Sequence, residues 1–371
     1  MSGYSGYSGY SGYSGYSGYS GYSGYSGYSG YSGYSGYARS GADNTAEAIN
    51  LSRFATSGPF EGAVVEPATP AFDQPDNLRL WADGPRVATL MTELVQGLSF
   101  PSDRKTEQAG LAFTDLDART PRRHTLLMLR APDRALLEQQ MTLVAAYADL
   151  RGDRGAEILA QMGPPIDFWA GVVGLQPHRH KKTLQVLDLC FGLAVHVEMR
   201  FKHMFAVVRP MQLSPQIQPM IADPGHAAWP SGHATEAFIV AHVLSSLLKA
   251  ARPGKQQRPG NEATEVQLQR LAARIAVNRT VAGVHYPVDS AVGRMLGTVL
   301  GQFLVARSQG GTLREHAFDG LKFQGTDGEP LDFQPQQPLD SGAGSVHGKP
   351  HRIEAGSLLS WLWQEAIKEW Q

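Results

Sequence analysis

A single cysteine in 371 residues removes several chemistries at once. Cys190 has no partner for an intramolecular disulfide, and neither a zinc–thiolate cluster nor a Cys-x-x-Cys redox pair can be assembled. Its neighbours Leu187, Leu189 and Phe191 make it a buried structural thiol. Net charge is equally scarce. Thirty-three basic against 34 acidic side chains leave −1, which argues against a general nucleic-acid binder, so any anion must be held by local arrangement. Long apolar runs are missing too. The most apolar windows, 187–199 and 291–306, are broken by His196 and Glu198 and by Arg294 and Gln302. Both fall short of the roughly 18 unbroken apolar residues of a membrane helix. The chain does not open with a basic region followed by an apolar one. No secretory signal and no transmembrane segment is therefore expected, and the cytoplasm is the default location.

Tyrosine is nearly absent outside one segment. After Met1 come twelve copies of Ser-Gly-Tyr ending at Tyr37, which leave only Tyr147 and Tyr286 elsewhere. A tract with glycine at every third position and no aliphatic residue cannot offset the entropy of ordering, so residues 1–37 are expected to be disordered. Residues 38–80 form an irregular lead-in with a short strand expected at 62–65. Helical spacing then dominates. Helices are expected over 86–98, 133–151, 166–175, 180–208, 233–251, 263–281 and 287–308, with a polar connection at 256–261. Only scattered residues alternate with period two. The fold class expected is all-α, a helical bundle, with the catalytic domain at 81–308. Residues 309–371 are a Gly/Pro-rich segment closed by an amphipathic stretch at 353–370, expected to dock on the core.

Three clusters carry the chemistry. Lys202 and Arg209 are seven residues apart, which on a helix returns to nearly the same face about 10 Å along. Two such cations can hold one anion from two sides. Pro230-Ser231-Gly232-His233 sets a tight turn before a helical pattern, so its backbone N–H groups form an anion site to which Ser231 adds a hydroxyl and His233 a proton carrier. Arg279 precedes His285 and Asp289. The last two are four apart across a turn carrying Pro287, so the carboxylate can fix the imidazole through Nδ1 and leave Nε2 available.

The pattern Lys202-x6-Arg209-Pro210, Pro230-Ser231-Gly232-His233 and Arg279-x5-His285-x3-Asp289 resembles the signature of the type-2 phosphatidic acid phosphatase and vanadium haloperoxidase superfamily, over about residues 180–305. Asn278 stands where that family often has serine. The resemblance implies a helical bundle of the haloperoxidase and acid phosphatase type, with two chemistries on one cradle. As a phosphatase, His285 attacks phosphorus, Asp289 orients it and His233 protonates the leaving oxygen of a phosphomonoester. Lys202, Arg209, Arg279, Ser231 and Gly232 stabilise the oxygens. As a haloperoxidase, the cofactor is vanadate, with His285 the ligand to vanadium. The partners are then hydrogen peroxide, a halide and a small organic acceptor, with His233 and Lys202 acting on the peroxide.

His226, seven positions before His233, inclines the reading toward the vanadium enzymes. Bromide-oxidising relatives carry a second histidine at the matching position. Met199 falls where chloride-oxidising relatives have an aromatic. The expectation is thus vanadate-dependent oxidation of bromide or iodide, with a soluble acid phosphatase as the alternative. The other histidines carry less weight: His178 and His180 read as a basic surface start of a helix, and His196 and His203, seven apart on the long helix, enter only as minor candidates to line the pocket. A different class of reading makes the Ser-Gly-Tyr tract a self-associating element of an assembly protein with a degenerate enzyme domain.

Overall fold

The computed structural model describes residues 42–57, 62, 71–116, 120–252, 259–325 and 328–371. The Ser-Gly-Tyr tract lies outside them, as do most of the strand expected at 62–65 and the first half of the 256–261 connection, whose second half opens a helix instead. By internal contacts the chain divides into two compact units, Met1–Thr89 and Leu90–Gln371.

The helices in chain order are α1 (Ala42–Thr56), α2 (Asp83–Val95), α3 (Arg134–Tyr147), α4 (Arg151–Ala160), α5 (Ile166–Val173), α6 (Lys181–Phe205), α7 (Pro210–Leu213), α8 (Gly232–Ala251), α9 (Pro259–Val281), α10 (Pro287–Gln309) and α11 (Ser357–Lys368). The strands are β1 (Leu98–Ser99), β2 (Ser102–Asp103), β3 (Gln108–Thr114), β4 (Arg123–Arg130), β5 (Gly311–Asp319) and β6 (Gly344–Ile353). The first unit holds α1, a 3-10 turn at Pro75–Leu80 and the start of α2. Buried Arg86 knits it together. Its Nε donates to Leu78 O at 2.7 Å, and its guanidinium also reaches Trp81 O and Asp83.

In the second unit six strands pair in the order β1-β3-β4-β5-β6, with β2 also on β3. The β3–β4 and β5–β6 pairs are antiparallel, whereas β4 and β5 run parallel, with Leu127 opposite His316. Parallel neighbours need a long crossover. Here the crossover is the entire run α3 to α10. The all-α expectation is therefore overturned by a mixed sheet. Strand β3 is buried along nearly its whole length, so it shows an unbroken apolar run instead of alternation. Strand β6 is half exposed and carries Pro350, which an outer strand tolerates. Both β5 and β6 fall in the segment whose Gly and Pro content argued for loops.

The expected helices of this unit appear, with shifted ends. The pattern at 133–151 is α3 followed by a 3-10 turn, and Gly152 lies inside α4. Helix α3 starts where Asp133 Oδ1 accepts Leu136 N at 2.9 Å. Two helix starts are capped from a distance. Glu369, just past α11, accepts the amides of Lys182 and Thr183 at the start of α6 (2.7 and 2.8 Å), and Thr183 Oγ1 at 2.9 Å. Glu93 on α2 accepts Leu358 N and Leu359 N at the start of α11. Leu359, Trp361, Leu362, Trp363 and Ile367 are buried, so α11 docks on the core. Full burial of side chains of this size stabilises by about 1.5–3 kcal/mol each. His180 is also buried, stacked on Trp370 with ring centroids 4.1 Å apart, which corrects its surface reading.

Helices α8 and α10 form the centre of this unit. Gly293, Gly297 and Gly301 recur every four residues along one face of α10. A Cβ at each position would meet α8 or its cap within 3 Å, at Ala234, Thr235 and His242 respectively. Glycine is what allows this approach, and it brings the starts of the two helices together.

Candidate active site

The second cation, Arg209, does not stand where helical spacing put it. Helix α6 ends at Phe205, and Ala206 turns the chain with φ +50. Arg209 thus lies off the Lys202 helix, at the start of α7, and the shared-face argument fails. The two cations still converge, through the loop that precedes α8. Lys202 Nζ donates to Ala227 O and Ala228 O at 3.2 Å and to Pro230 O at 2.5 Å. Arg209 Nε donates to His226 O at 3.0 Å, its Nη1 to Val284 O at 2.7 Å and its Nη2 to His226 Nδ1 at 3.2 Å. Asp223 pairs with the same guanidinium at 3.2 Å. Both cations are buried. Burial pushes Lys202 down to about 8, with Glu198 opposing and Arg209 adding to the fall. His226 is pushed down to about 4, by burial and then by Lys202.

Ser231 caps α8, its Oγ accepting Ala234 N at 3.4 Å. The Trp229–Pro230 bond is cis. Ser231 N donates to Asp289 O at 3.1 Å, which ties the start of α8 to the start of α10. Asp289 is wholly buried. Its Oδ2 accepts His285 Nδ1 at 2.8 Å and Tyr286 N at 3.0 Å. The imidazole is thereby turned so that Nε2 faces Arg209 Nη1 at 3.4 Å. Burial, then Arg209 and Lys202, hold His285 far below the ordinary imidazole value. Burial raises Asp289 to about 7. A neutral His285 keeps its Nε2 lone pair.

Arg279 differs from the other two cations. Its Nη2 donates to Ile158 O and to Gln161 Oε1, both at 3.2 Å, while the buried Nε and Nη1 have no hydrogen-bond partner. Two orphaned donors on a buried cation are costly unless an acceptor arrives. Burial brings the group down to about 10, still charged at neutral pH. His233 donates from Nε2 to the main-chain oxygen of Gln161 at 2.9 Å and is pushed down to about 3 by burial and then by Arg279.

Several residues here escaped the motif reading. Gln161, fully buried at the end of α4, joins Arg279, His233 and Asn278. Asn278 in turn donates to Glu157 Oε1 at 3.0 Å, so the residue that departs from serine belongs to a bracket behind the site. Glu198 and Glu236 are the others. Glu198 lies against Gly232, where a Cβ would fall 2.6 Å from Oε1. Glu198 had a signal in the sequence, as the carboxylate that interrupts the most apolar stretch of α6. Glu236 likewise sits in the apolar start of α8. Of the other histidines, His196 contacts Phe100 and His203 is exposed; neither bonds to the site residues.

Residues 185–311 match the family model described as the PAP2 superfamily. This segment is a PAP2 superfamily domain. It runs from α6 to the first residue of β5, about a third of the chain, and contains every residue that the three clusters and His226 supply. Comparison with curated proteins returns no match. Among solved structures, the chain is similar to the first transmembrane PAP2 type phosphatidylglycerolphosphate phosphatase from Bacillus subtilis. That likeness has 17% identity over 46% of this chain and 94% of that one, with a TM-score of 0.29. At such a score it transfers no substrate and no residue role.

The cytoplasmic expectation rested on finding no apolar segment long enough to span a membrane, and that premise is corrected here. By length and composition α8, outside the two windows named above, is long and apolar enough to cross a bilayer. Two-thirds (67%) of its apolar window is buried within this fold, as in the core helix of a soluble protein.

Proposed function

We propose that the PAP2 domain hydrolyses phosphomonoesters through a phosphohistidine on His285. The observation that carries the reading is the 2.8 Å pairing of His285 Nδ1 with Asp289, which presents a neutral Nε2 beside a buried guanidinium. In the first step Nε2 attacks phosphorus and the ester oxygen leaves. Asp289 holds the tautomer and stabilises the charge that develops on the ring. Arg279 Nε and Nη1, unpartnered in the protein, receive phosphoryl oxygens, together with N–H groups at the start of α8. Lys202 and Arg209 spend their hydrogen bonds mainly on carbonyls of the 226–230 loop and on Val284. Their part is to fix that loop and to supply positive charge. In the second step water attacks phosphorus and frees His285.

One observation favours a second reading, vanadate-dependent oxidation of bromide or iodide. His226 lies against Arg209 and adds a further neutral imidazole at the cradle. The orphaned donors of Arg279 fit any tetrahedral oxyanion, so His285, Arg279, Ser231 and Gly232 would hold vanadate as readily as phosphate. Bound vanadate would supply Lewis acidity toward hydrogen peroxide.

The two are separated by one experiment. Purified protein receives p-nitrophenyl phosphate with and without orthovanadate; a parallel sample receives orthovanadate, peroxide, bromide and a diketone. Hydrolysis blocked by vanadate, without halogenation, is expected. Halogenation without hydrolysis would overturn the phosphatase reading. His285→Ala should abolish turnover, and its survival would remove the nucleophile assignment.

A further inference from the structure

A cleft of about 480 Å³ opens toward the ends of α8 and α10 that lie away from the cradle. His242 of α8 and Gln302 and Val305 of α10 line it from the helices, and Arg314 and His316 of β5 with Val346 of β6 line it from the sheet. His242 is ten residues past Gly232, and Gln302 is thirteen past Asp289. The cleft therefore lies about 15–20 Å along these helices from the groups around His285. Its volume is within the range of small-molecule sites, about 300–1,000 Å³.

Two imidazoles set this cleft apart. His316 is 6% exposed, and its buried Nδ1 has no hydrogen-bond partner. His242 packs on Gly301 of α10, where an added Cβ would fall 2.8 Å from the His242 Cβ. Among the described residues no hydrogen bond satisfies either ring. Buried polar groups are nearly always paired, so two unpaired rings lining one cleft call for a ligand. Burial keeps both rings neutral at pH 7, pushing His242 down to about 4 and lowering His316 as well. Each ring then offers one donor and one acceptor.

The lining selects the chemistry of that ligand. No carboxylate lines the cleft, and its one formal charge is Arg314, which is exposed and has no ion-pair partner among the described residues. One guanidinium matches one monoanion through two parallel hydrogen bonds, whereas a phosphate dianion would leave charge unmatched. The Gln302 amide and the imidazole N–H groups add donors, and Val305 and Val346 supply an apolar wall. A metal fits less well. A ligating imidazole ordinarily anchors its other nitrogen on a carboxylate or carbonyl, and neither ring is anchored in that way. We propose that this cleft binds a small organic carboxylate, its charged end on Arg314 and its apolar body against Val305 and Val346. The site stands whether the cradle at His285 takes phosphate or vanadate.

Hexanoate titrated into the full chain by calorimetry tests it, with 1-hexanol as the uncharged counterpart. Hexanoate should saturate one site with a Kd of about 1 mM or tighter, at least about tenfold below that of 1-hexanol. It should also move the ring-proton NMR signals of His242 and His316, assigned through His242→Gln and His316→Gln. Arg314→Leu, a change at an exposed position, should weaken hexanoate by about tenfold or more and leave 1-hexanol unchanged. Val305→Trp, which fills the cleft, should block both probes; if it does not fold, Arg314→Leu carries the test alone. Hexanoate binding that Arg314→Leu leaves intact would put the anion elsewhere and overturn the proposal. Failure of hexanoate to saturate, or equal affinity for the two probes, would do the same. Zinc chloride is the last arm. Zinc uptake that His242→Gln abolishes, in a protein that ignores hexanoate, would make the cleft a metal site instead.

Discussion

Gly297→Ala tests whether the close contact of α8 and α10 sets the site. A Cβ on Gly297 would fall 2.4 Å from Thr235 O, 2.9 Å from Phe238 Cβ and 3.0 Å from Ile239 N. Ordinary contact begins at 3.4 Å, so the first of these is about 1 Å short. Two of the three obstacles are main-chain atoms of a buried helix, which cannot rotate aside. Overpacking of this kind costs about 1–3 kcal/mol. For a domain of this size that lowers the melting temperature by about 2–5 °C. Relief requires the helices to part by roughly the same 1 Å. Their starts carry Ser231 and Asp289, joined by a 3.1 Å hydrogen bond, so groups on both sides of the candidate site move. Misplacement on that scale costs up to about 100-fold in turnover. The assay is thermal unfolding plus phosphomonoester turnover, with Gly171→Ala as control. Gly171 lies in α5, where an added Cβ meets nothing within 4 Å, and the change should stabilise by about 0.5–1 kcal/mol. A Gly297→Ala protein that melts with the wild type and turns over at its rate would refute the packing argument.

Two further outcomes follow from other parts of the fold. Glu369→Ala strips three donors at the start of α6 of their acceptor and should cost about 1–3 kcal/mol, read as a lower urea midpoint. Glu198→Gln should change the pH dependence of stability. With its pKa raised from 4.5 to about 8, Glu198 favours its neutral form in the folded protein, so its contribution is full below pH 4.5 and is lost as pH rises through 8. Wild type should therefore lose more stability than the variant between pH 5 and 8, by at least about 1 kcal/mol in chemical unfolding, and parallel curves would contradict a buried neutral Glu198.

Much of the helical layout was legible because amphipathic helices announce themselves at 3.6-residue spacing, as α2 and α11 do. The sheet was not, since a strand covered on both faces has no alternation to read, and β3 is such a strand. Of the site, the His285–Asp289 pair was legible because its four-residue spacing is local and Pro287 fixes the turn between them. Convergence of Lys202 and Arg209 was anticipated for the wrong reason. Helical spacing predicted one face, whereas the chain leaves the helix at Ala206 and the two cations meet through the carbonyls of the loop before α8. Gln161 was beyond reach, because its role depends on the end of α4 lying beside His233 and Arg279, more than 70 residues away.

The unequal hydrogen bonding of the three cations bears on how the cradle works. A donor already bonded to a carbonyl must break that bond before it can grip a substrate oxygen, and the two interactions nearly cancel. Lys202 and Arg209 are bonded in this way, so their value to a bound anion is mainly Coulombic and reaches it through a buried, weakly screened medium. Arg279 Nε and Nη1 have no carbonyl to give up. In the proposed reaction, hydrogen bonding to the transferring group therefore falls on Arg279 and the start of α8. That side is fixed by the Gln161–Asn278–Glu157 bracket, which links α4 to α9. The motif supplies the charge, and this bracket, which no motif names, aims the donors that can act on it.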